Sequence, residues 1–521
     1  MLAEIGRHCL TLSLLCAAWA ALAGFLGGKF HHFPVFISAR RSLYAGTGLL
    51  VAASAILIHA NLTNNFSLWV VASYSNINLP TFYKVSAMWG SQAGSLLLWA
   101  LILSCFSSIV VFQYRRRNDD MIPFVASILG GILVFFLILL NFNSNPFTML
   151  ASPPLDGNGL NPQLQTPLMV IHPPLLYIGY VGFSIPFAFA IAALLSGRLN
   201  DVWIHRTRRW TIFSWFFLGI GILLGAYWAY IELGWGGYWA WDPVENAALV
   251  PWLTATAFLH SVMIQEKKRM LQTWNMVLVI LTYCLCILGT FITRSGIISS
   301  VHSFTVSNLG PLFLVFLAIL FGASFLLLVY RLPELKSPNK LNSLVSRESS
   351  FLFNNLFLLA CAFAILWGTL FPILSEAVRG VKITVGPPFF NQVIAPIGLA
   401  LIFLTGVCPL IAWRRATLKH LLRNFRYPVG AGMAGALLLP LFGFRQVYSI
   451  LAISLCLFVF ATIILEFFRG TQARHRMTGE PSPLAFFRLI NRNRRRYGGY
   501  LVHLGILFMV VGITGSWNYQ Q

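Results

Sequence analysis

The chain has 521 residues, of which 58% are hydrophobic and only 10% are charged, and its mean hydropathy is +0.75. This composition excludes a soluble protein and indicates a polytopic membrane protein. The formal net charge of +22 does not indicate nucleic-acid binding, because the sequence contains neither a basic soluble domain nor a groove-reading motif.

Apolar runs of about 20 residues, each long enough to span a bilayer, recur along the chain. Fourteen such runs begin near Cys9, Leu43, Ser95, Phe124, Leu168, Ile212, Leu249, Asn275, Pro311, Leu352, Val393, Val429, Ser449 and Gly499. We therefore expect an all-α polytopic integral membrane protein of about 14 transmembrane helices, forming a single helical membrane domain over residues 1–521.

The basic residues predict the orientation, since Lys and Arg are retained on the cytoplasmic side. One set of alternate loops holds 30 of the 36 basic residues. The other six are Arg7, Lys84, Arg294, Arg379, Lys382 and Arg445. The N-terminus is then outside the cell membrane, and the net charge reflects membrane orientation.

The first span could be read as a cleavable signal peptide, since Arg7, an apolar run and small residues near Ala23 and Gly24 match that pattern in part. Glu4 ahead of the run and the cation Lys29 after it favour an uncleaved helix that enters from outside. We expect the first span to be retained.

The most informative segment is the loop over residues 230–248, between the sixth and seventh spans. Its tryptophans Trp235, Trp239 and Trp241 are separated by glycines that remove bulk between the rings, and Asp242 begins a stretch of turn-forming and polar residues. Tryptophan belts at bilayer interfaces do not need this arrangement. We predict a platform for a flat ligand, because ligand pockets combine aromatic walls with a few placed polar groups.

Histidines form the second informative class. Seven of the eleven lie in basic loops or near span ends and are expected to be structural: His8, His31, His32, His59, His205, His420 and His475. His172, at the start of the fifth span, and His302, in an outer loop, share the side of the platform. The alternative is a pair of interfacial, hydrogen-bonded histidines; the shared side favours axial ligation of a haem-like macrocycle.

His260 and His503 form a second pair, each in the inner third of its span. An ionisable group inside a span is costly and marks a functional site by default. Although a hydrogen-bonded core histidine would also be compatible with the pattern, matched depth on two helices favours a bis-histidine b-type haem.

Four further motifs are specific: Trp89–Trp99 (WGSQAGSLLLW), Asp156–Pro162 (DGNGLNP) leading into His172-Pro173-Pro174, Gly289–Gly296 (GTFITRSG) and Val385–Pro388 (VGPP). With the tryptophan-rich WWD loop, they make the chain resemble the cytochrome c maturation haem lyase subunits, the CcmF and NrfE family, over nearly its whole length.

The resemblance implies a multi-pass protein of the bacterial inner membrane with its active loop on the periplasmic side. Haem would arrive from a periplasmic haem chaperone, meet the WWD loop and be held by His172 and His302. A b haem on His260 and His503 would pass electrons from quinol to the iron. The haem would then be attached by thioether bonds to an apocytochrome c presented by thiol-handling subunits.

Charged residues near the platform are further candidates for cofactor binding. Glu232, Asp242 and Glu245 could orient histidines or meet the haem edge, although a carboxylate repels a propionate. Arg294 is the better propionate partner, because a guanidinium pairs with carboxylates in a fork. The sequence names no catalytic residue.

The chain departs from the family pattern in three places. Family members continue past the last histidine-bearing span into a periplasmic domain and a further helix, and we expect both to be absent from this chain, which ends at Gln521. Ala93 stands where many relatives have Glu, and Tyr238 replaces one expected Trp.

Other functions remain open at this point. A haem transporter or delivery protein would use the same platform without forming thioethers, and a lyase dedicated to a nitrite reductase cytochrome would share every motif. A quinol-linked respiratory subunit would need further haem or metal ligands, and no additional histidine pair at matched depth occurs in the sequence.

Overall fold

A computed structural model describes residues 1–116, 119–234, 236–298, 309–337, 339, 341, 343–411 and 418–519. Within these ranges the chain is built of helices, and Leu68 and Met149 form a single isolated β-bridge. Helices satisfy their backbone hydrogen bonds internally, which a chain of this hydropathy requires in a bilayer. Two compact units make up the fold.

The first unit comprises Met1–Pro338 and Ile365–Val385. Its complete helices are α1 (Leu2–Lys29), α2 (Phe33–Leu62), α3 (Trp69–Tyr74), α4 (Thr81–Gly90), α5 (Gln92–Gln113), α6 (Ile122–Ile138), α7 (Pro167–Gly182), α8 (Ser184–Ser196), α9 (Val202–Glu232), α10 (Pro243–Lys268), α11 (Gln272–Ser295) and α12 (Gly310–Arg331). Helix α1 packs on α2 and α6, α7 packs on α9, and α10 packs on α11.

The second unit comprises Asn339–Ala364 and Gly386–Gln521. Its helices are the first part of α13 (Arg347–Arg379), α14 (Pro387–Leu410), α15 (Leu418–Leu438), α16 (Val447–Thr478), α17 (Ser482–Arg492) and α18 (Arg494–Tyr519). Helix α16 is central to this unit and packs against α14, α15, α17 and α18.

The predicted fold class is confirmed, because fourteen helical segments in the described part of the chain are long and apolar enough to cross a membrane. The fifth segment, Pro167–Ser196, is interrupted at Phe183, where α7 gives way to α8. Pro186 has no N–H to donate to the carbonyl of Gly182 four residues earlier, which accounts for a break at this point. The outward N-terminus and the single domain stay predictions.

Candidate functional site

A cavity of about 180 Å³ lies in the first unit, where α4, α5, α7, α9, α10 and α11 meet. Its aromatic lining residues are Trp89, Trp99, Tyr177, Tyr180 and Trp228. Its polar and charged lining residues are Ser91, Gln92, Ser95, His172, Thr290, Thr293 and Arg294. Aromatic walls with a few placed polar groups are typical of small-molecule and cofactor sites.

The junction between α4 and α5 forms one wall of this cavity. Ser91 is the N-cap of α5, and its Oγ accepts a hydrogen bond from the backbone N–H of Gly94 at 3.0 Å. A Cβ at Gly94 would lie 1.7 Å from the carbonyl oxygen of Met88, so only glycine fits. This tight turn brings Ser95 and Trp99, on the first turns of α5, to the cavity.

His172 is held by the neighbouring helix α9. Its Nδ1 lies 2.7 Å from the carbonyl oxygen of Gly221, and since a carbonyl only accepts, Nδ1 carries the proton. The lone pair of the neutral ring is then on Nε2. A Cβ at Gly225 would lie 2.6 Å from Cε1 of His172, so the missing side chain there leaves room for the ring. Metal-binding histidines are commonly oriented by this kind of bond to a carbonyl.

Arg294 lies in the last turn of α11 and reaches to two other helices. Its Nη1 donates to Oγ of Ser95 at 2.9 Å, and its Nη2 donates to the hydroxyl of Tyr177 at 3.3 Å. The half-buried guanidinium therefore lines the same cavity as His172, with its position fixed by α5 and α7.

The aromatic wall is a packed cluster around Trp99, which is only 2% exposed. Its ring stacks on Phe136 with centroids 5.2 Å apart and contacts the rings of Tyr177 and Tyr180 at 5.6 and 6.0 Å. The hydroxyl of Tyr180 donates to the carbonyl of Ala247 at 2.8 Å, which joins α7 to α10. Contacts among α5, α6 and α7, together with the hydrogen bond to α10, therefore fix this aromatic side of the cavity.

The motif Asp156–Pro162 braces the loops beside the cavity. Oδ1 of Asp156 accepts from the backbone N–H of Ile77 at 2.9 Å. The next residue after the motif, Gln163, accepts at its carbonyl from Nε1 of Trp228 at 3.1 Å. The motif therefore has a structural role here, and it holds Trp228 in the cavity wall.

The WWD loop presents two described tryptophans. Trp239 and Trp241 meet edge to face, with ring centroids 5.8 Å apart and an interplanar angle of 88°, and both are half-buried. Trp241 has a φ of +57°, an uncommon conformation for a bulky residue. Trp235 and His302 lie outside the described residues, so their predicted roles stay predictions.

The two carboxylates of the loop serve the start of α10. Asp242 accepts from the N–H of Val244 at 2.9 Å, while Oε2 of Glu245 accepts from the N–H groups of Ala240 at 3.0 Å and Asp242 at 3.1 Å. This is a capping box, a signal that the spacing of Asp and Glu in the sequence already contained. A direct contact of Asp242 with a cofactor stays a prediction.

His260 is oriented within its own helix. Its Nδ1 lies 2.8 Å from the carbonyl oxygen of Thr256 one turn earlier, so Nδ1 donates and Nε2 carries the lone pair of the neutral ring. The hydroxyl of Thr256 accepts from Nε1 of Trp215 at 2.8 Å. That indole stacks on Trp252 with centroids 5.2 Å apart, so the helix around His260 is firmly packed.

His503 lies on α18 in the second unit, where it is half-buried. It stands nine residues after Arg494, the first residue of α18, and His260 stands eight residues before Lys268, the last of α10. At 1.5 Å per residue each histidine is about 12–14 Å from the basic end of its own helix. These two distances along the separate helices are similar, and both the equal depth in the membrane and joint ligation stay predictions.

Sequence reasoning did not identify Ser95 and Tyr177, which position the Arg294 guanidinium, or Gly225, which makes room for His172. Ser95 lies in the first of the four motifs, and Tyr177 follows His172 by five residues. Both could have been chosen as polar residues within or near motifs on the side of the predicted platform. Nothing in the sequence showed that Gly225 faces His172.

Comparison with known proteins places this geometry in context. Residues 89–299, which include His172, Arg294 and the WWD loop, match the family model described as cytochrome C assembly protein. The chain is 41% identical to the cytochrome c-type biogenesis protein CcmF of Pseudomonas aeruginosa and 37% identical to that of Escherichia coli, in each case over 100% of this chain and 78% of the relative.

Two further similarities extend this match. The cytochrome c-type biogenesis protein NrfE of Haemophilus influenzae is 38% identical over 78% of this chain and 64% of its own length. A solved structure titled cytochrome c heme lyase CcmF superposes with a TM-score of 0.81 at 31% identity, covering 100% of this chain and 78% of that one.

Proposed function

Because the chain belongs to the CcmF family of cytochrome c-type biogenesis haem lyases, we propose that the cavity lined by His172 and Arg294 receives haem and presents it to an apocytochrome c. The observation that carries this proposal is the shared cavity of His172 and Arg294, with the aromatic cluster around Trp99 in its wall. Haem binding requires a ligand for the iron, a partner for the propionate carboxylates and an apolar wall for the macrocycle. His172, Arg294 and the cluster around Trp99 would provide these three features.

Each described group fits one part of haem. Nε2 of His172 is the axial ligand, since Nδ1 is engaged by the Gly221 carbonyl. Arg294 pairs with a propionate through its guanidinium fork. Trp239 and Trp241, with the predicted Trp235, cover the macrocycle, and His302 is the predicted second axial ligand.

The reaction that follows is thioether formation. Each thiol of the apocytochrome adds across a haem vinyl group: sulfur bonds to one vinyl carbon, and the thiol hydrogen is transferred to the other carbon. The addition is redox-neutral and breaks only the S–H and vinyl π bonds. The contribution of this chain is positioning, because holding reactants in register removes a large entropic barrier.

His260 and His503 are the residues that would hold a resident b haem. A b haem held there would supply single electrons, which would keep the iron of the incoming haem ferrous. The fit rests on the ring of His260, which the Thr256 carbonyl orients through Nδ1, and on the half-buried position of His503 in an apolar helix. Quinol is the proposed electron donor.

The partners follow from this role. A periplasmic haem chaperone delivers haem, and thiol-handling subunits present the reduced apocytochrome at the periplasmic face of the inner membrane. The client cytochrome could be general or belong to a nitrite reductase, as the similarity to NrfE allows.

The test is covalent haem attachment in a bacterial strain that lacks its own CcmF. The strain would express this chain and a reporter apocytochrome c, and haem that remains on the reporter after denaturing electrophoresis would be quantified. We expect attachment with the wild type and its loss in His172→Ala. His59→Ala is the matched control, because His59 is exposed and lies outside the cavity.

Two results would overturn the proposal. Haem transfer to the reporter without covalent attachment would identify a delivery protein. Full attachment with His172→Ala would show that the cavity is not where haem is held.

A further inference from the structure

The second unit contains a charge network, made of a buried carboxylate and a half-exposed guanidinium, that the proposed function does not use. Glu466 of α16 is only 8% exposed and forms an ion pair with Arg496 of α18. The hydroxyl of Tyr500 donates to Oε2 of Glu466 at 3.1 Å and accepts from Nε of Arg496 at 3.2 Å. The three side chains therefore form one closed network between two helices.

Packing alone already joins these helices. Phe467, next to Glu466, contacts the rings of Tyr497 and Tyr500 at 5.0 and 6.0 Å. Together with Leu507 these residues belong to one apolar core. An ion pair whose guanidinium is 52% exposed contributes little stability, whereas a buried carboxylate in an apolar helix of spanning length, such as Glu466, marks a functional site by default. The network therefore calls for a role other than holding the helices together.

The network lies on the same face of α18 as His503. Arg496, Tyr500 and His503 are spaced by four and three residues, which places them on one stripe of a helix. At 1.5 Å per residue His503 is about 4.5 Å along the axis from Tyr500 and about 10 Å from Arg496. Arg496 thus stands about two turns of α18 from the proposed iron ligand, and Glu466 is bonded to Arg496 and to Tyr500, which is one turn from that ligand.

We propose that the Glu466–Arg496 pair, bridged by Tyr500, sets the reduction potential of the b haem held by His503. This inference rests on the proposed function, since it needs a haem at that histidine. Ferric iron carries one more positive charge than ferrous iron, so a nearby carboxylate favours the ferric state and a nearby guanidinium favours the ferrous state. The two groups therefore shift the potential in opposite directions, and the wild-type potential includes both shifts.

The test is a redox titration of the b-type absorbance in purified full-length protein. Glu466→Gln leaves the guanidinium without its carboxylate, so the midpoint potential should rise. Arg496→Gln leaves the carboxylate, so the potential should fall, at a pH where carboxyl groups are ionised. The double variant should lie between the two single variants. A purely structural role predicts no such opposite signs.

Glu480 provides a matched control. Its carboxylate also pairs with two arginines of the second unit, Arg474 and Arg488, at 2.9 and 2.6 Å. It lies between α16 and α17, away from the stripe that carries His503, so Glu480→Gln should leave the potential unchanged.

The outcomes separate the two proposals. Wild-type protein without haem, purified under conditions that preserve haem, would overturn the proposed b haem and this role with it. Haem present with the same potential in all variants, or shifts of the same sign in both single variants, would overturn only the role of the charge pair. If Glu466→Gln does not fold, Arg496→Gln still decides the matter: a fall supports the proposal and an unchanged potential overturns it.

Discussion

His172 and His260 carry the same hydrogen-bond pattern on different supports. In both, Nδ1 donates to a backbone carbonyl, but the acceptor of His172 is Gly221 on another helix, whereas the acceptor of His260 is Thr256 on its own helix. The orientation of His172 therefore depends on how α7 packs on α9. The orientation of His260 is local and survives changes in its neighbours.

The largest expected effect comes from Gly225→Ala. The new Cβ would stand 2.6 Å from Cε1 of His172 and displace the ring from the Gly221 carbonyl. Loss of such an orienting bond costs about 10- to 100-fold in metal affinity. We expect haem retention at the cavity to fall by that factor, measured by equilibrium binding of added haem, while the inner haem stays.

For Gly225→Ala, an effect on haem binding must be distinguished from an effect on the stability of the protein. Alanine favours a helix over glycine by about 1 kcal/mol, and measuring the free energy of unfolding of the variant separates a local displacement of His172 from a general loss of stability through the new contact. Gly131→Ala on α6 is the matched variant, because its Cβ would meet nothing within 4 Å. Equal haem binding by both variants would show that the contact between Gly225 and His172 does not orient the ring.

The second effect is expected at Arg294, which also depends on contacts between helices. Arg294→Gln removes the charge and the fork, and a hydrogen bond to a charged group contributes about 1.5–3 kcal/mol. We expect about a tenfold or larger loss of haem retention in the cavity. Arg294→Lys keeps the charge without the fork, so its haem retention should lie between that of the wild type and that of Arg294→Gln. Unchanged haem occupancy in Arg294→Gln would show that Arg294 is not part of the haem site.

The parts of this molecule that sequence could predict are those with a local cause. Hydropathy located the fourteen helical segments of spanning length in the described part of the chain, because each helix satisfies its own backbone bonds. The placement of His260 and His503 along their spans needed only counting. His172 and Arg294 could be chosen from their motifs and their side of the membrane, and both line one cavity.

The parts that sequence could not predict depend on which helices meet. The contact of His172 with Gly221 and Gly225 joins segments about 50 residues apart, and that of Arg294 with Ser95 joins segments about 200 residues apart. No periodicity encodes such pairings. Asp242 was hard to assign for a different reason. The sequence contained the local signal for a helix N-cap, but a carboxylate at this position could equally be predicted to bind a cofactor.

A third prediction separates those two roles of Asp242. Asn is as good an N-cap as Asp, so Asp242→Asn should preserve the start of α10 and, if the carboxylate only caps, haem retention. Asp242→Ala should lower the free energy of unfolding by about 1–2 kcal/mol through loss of the cap, measured by thermal or denaturant unfolding in detergent. A marked change in haem retention with Asp242→Asn would assign the charge a direct cofactor role.

The smallest effect is expected at Thr256, where the local support of His260 can be tested directly. Thr256→Val removes the hydroxyl that accepts from Trp215 and donates to the Trp252 carbonyl, but leaves the carbonyl that accepts from His260. The Trp252 carbonyl keeps its helical N–H donor, so the free energy of unfolding should fall by about 1 kcal/mol, the usual net worth of one hydrogen bond, and Thr256→Ser should restore it. The b-type spectrum should be the same in all three proteins, because a backbone acceptor is present in each. A spectrum lost in Thr256→Val and recovered in Thr256→Ser would show that His260, like His172, depends on packing between helices.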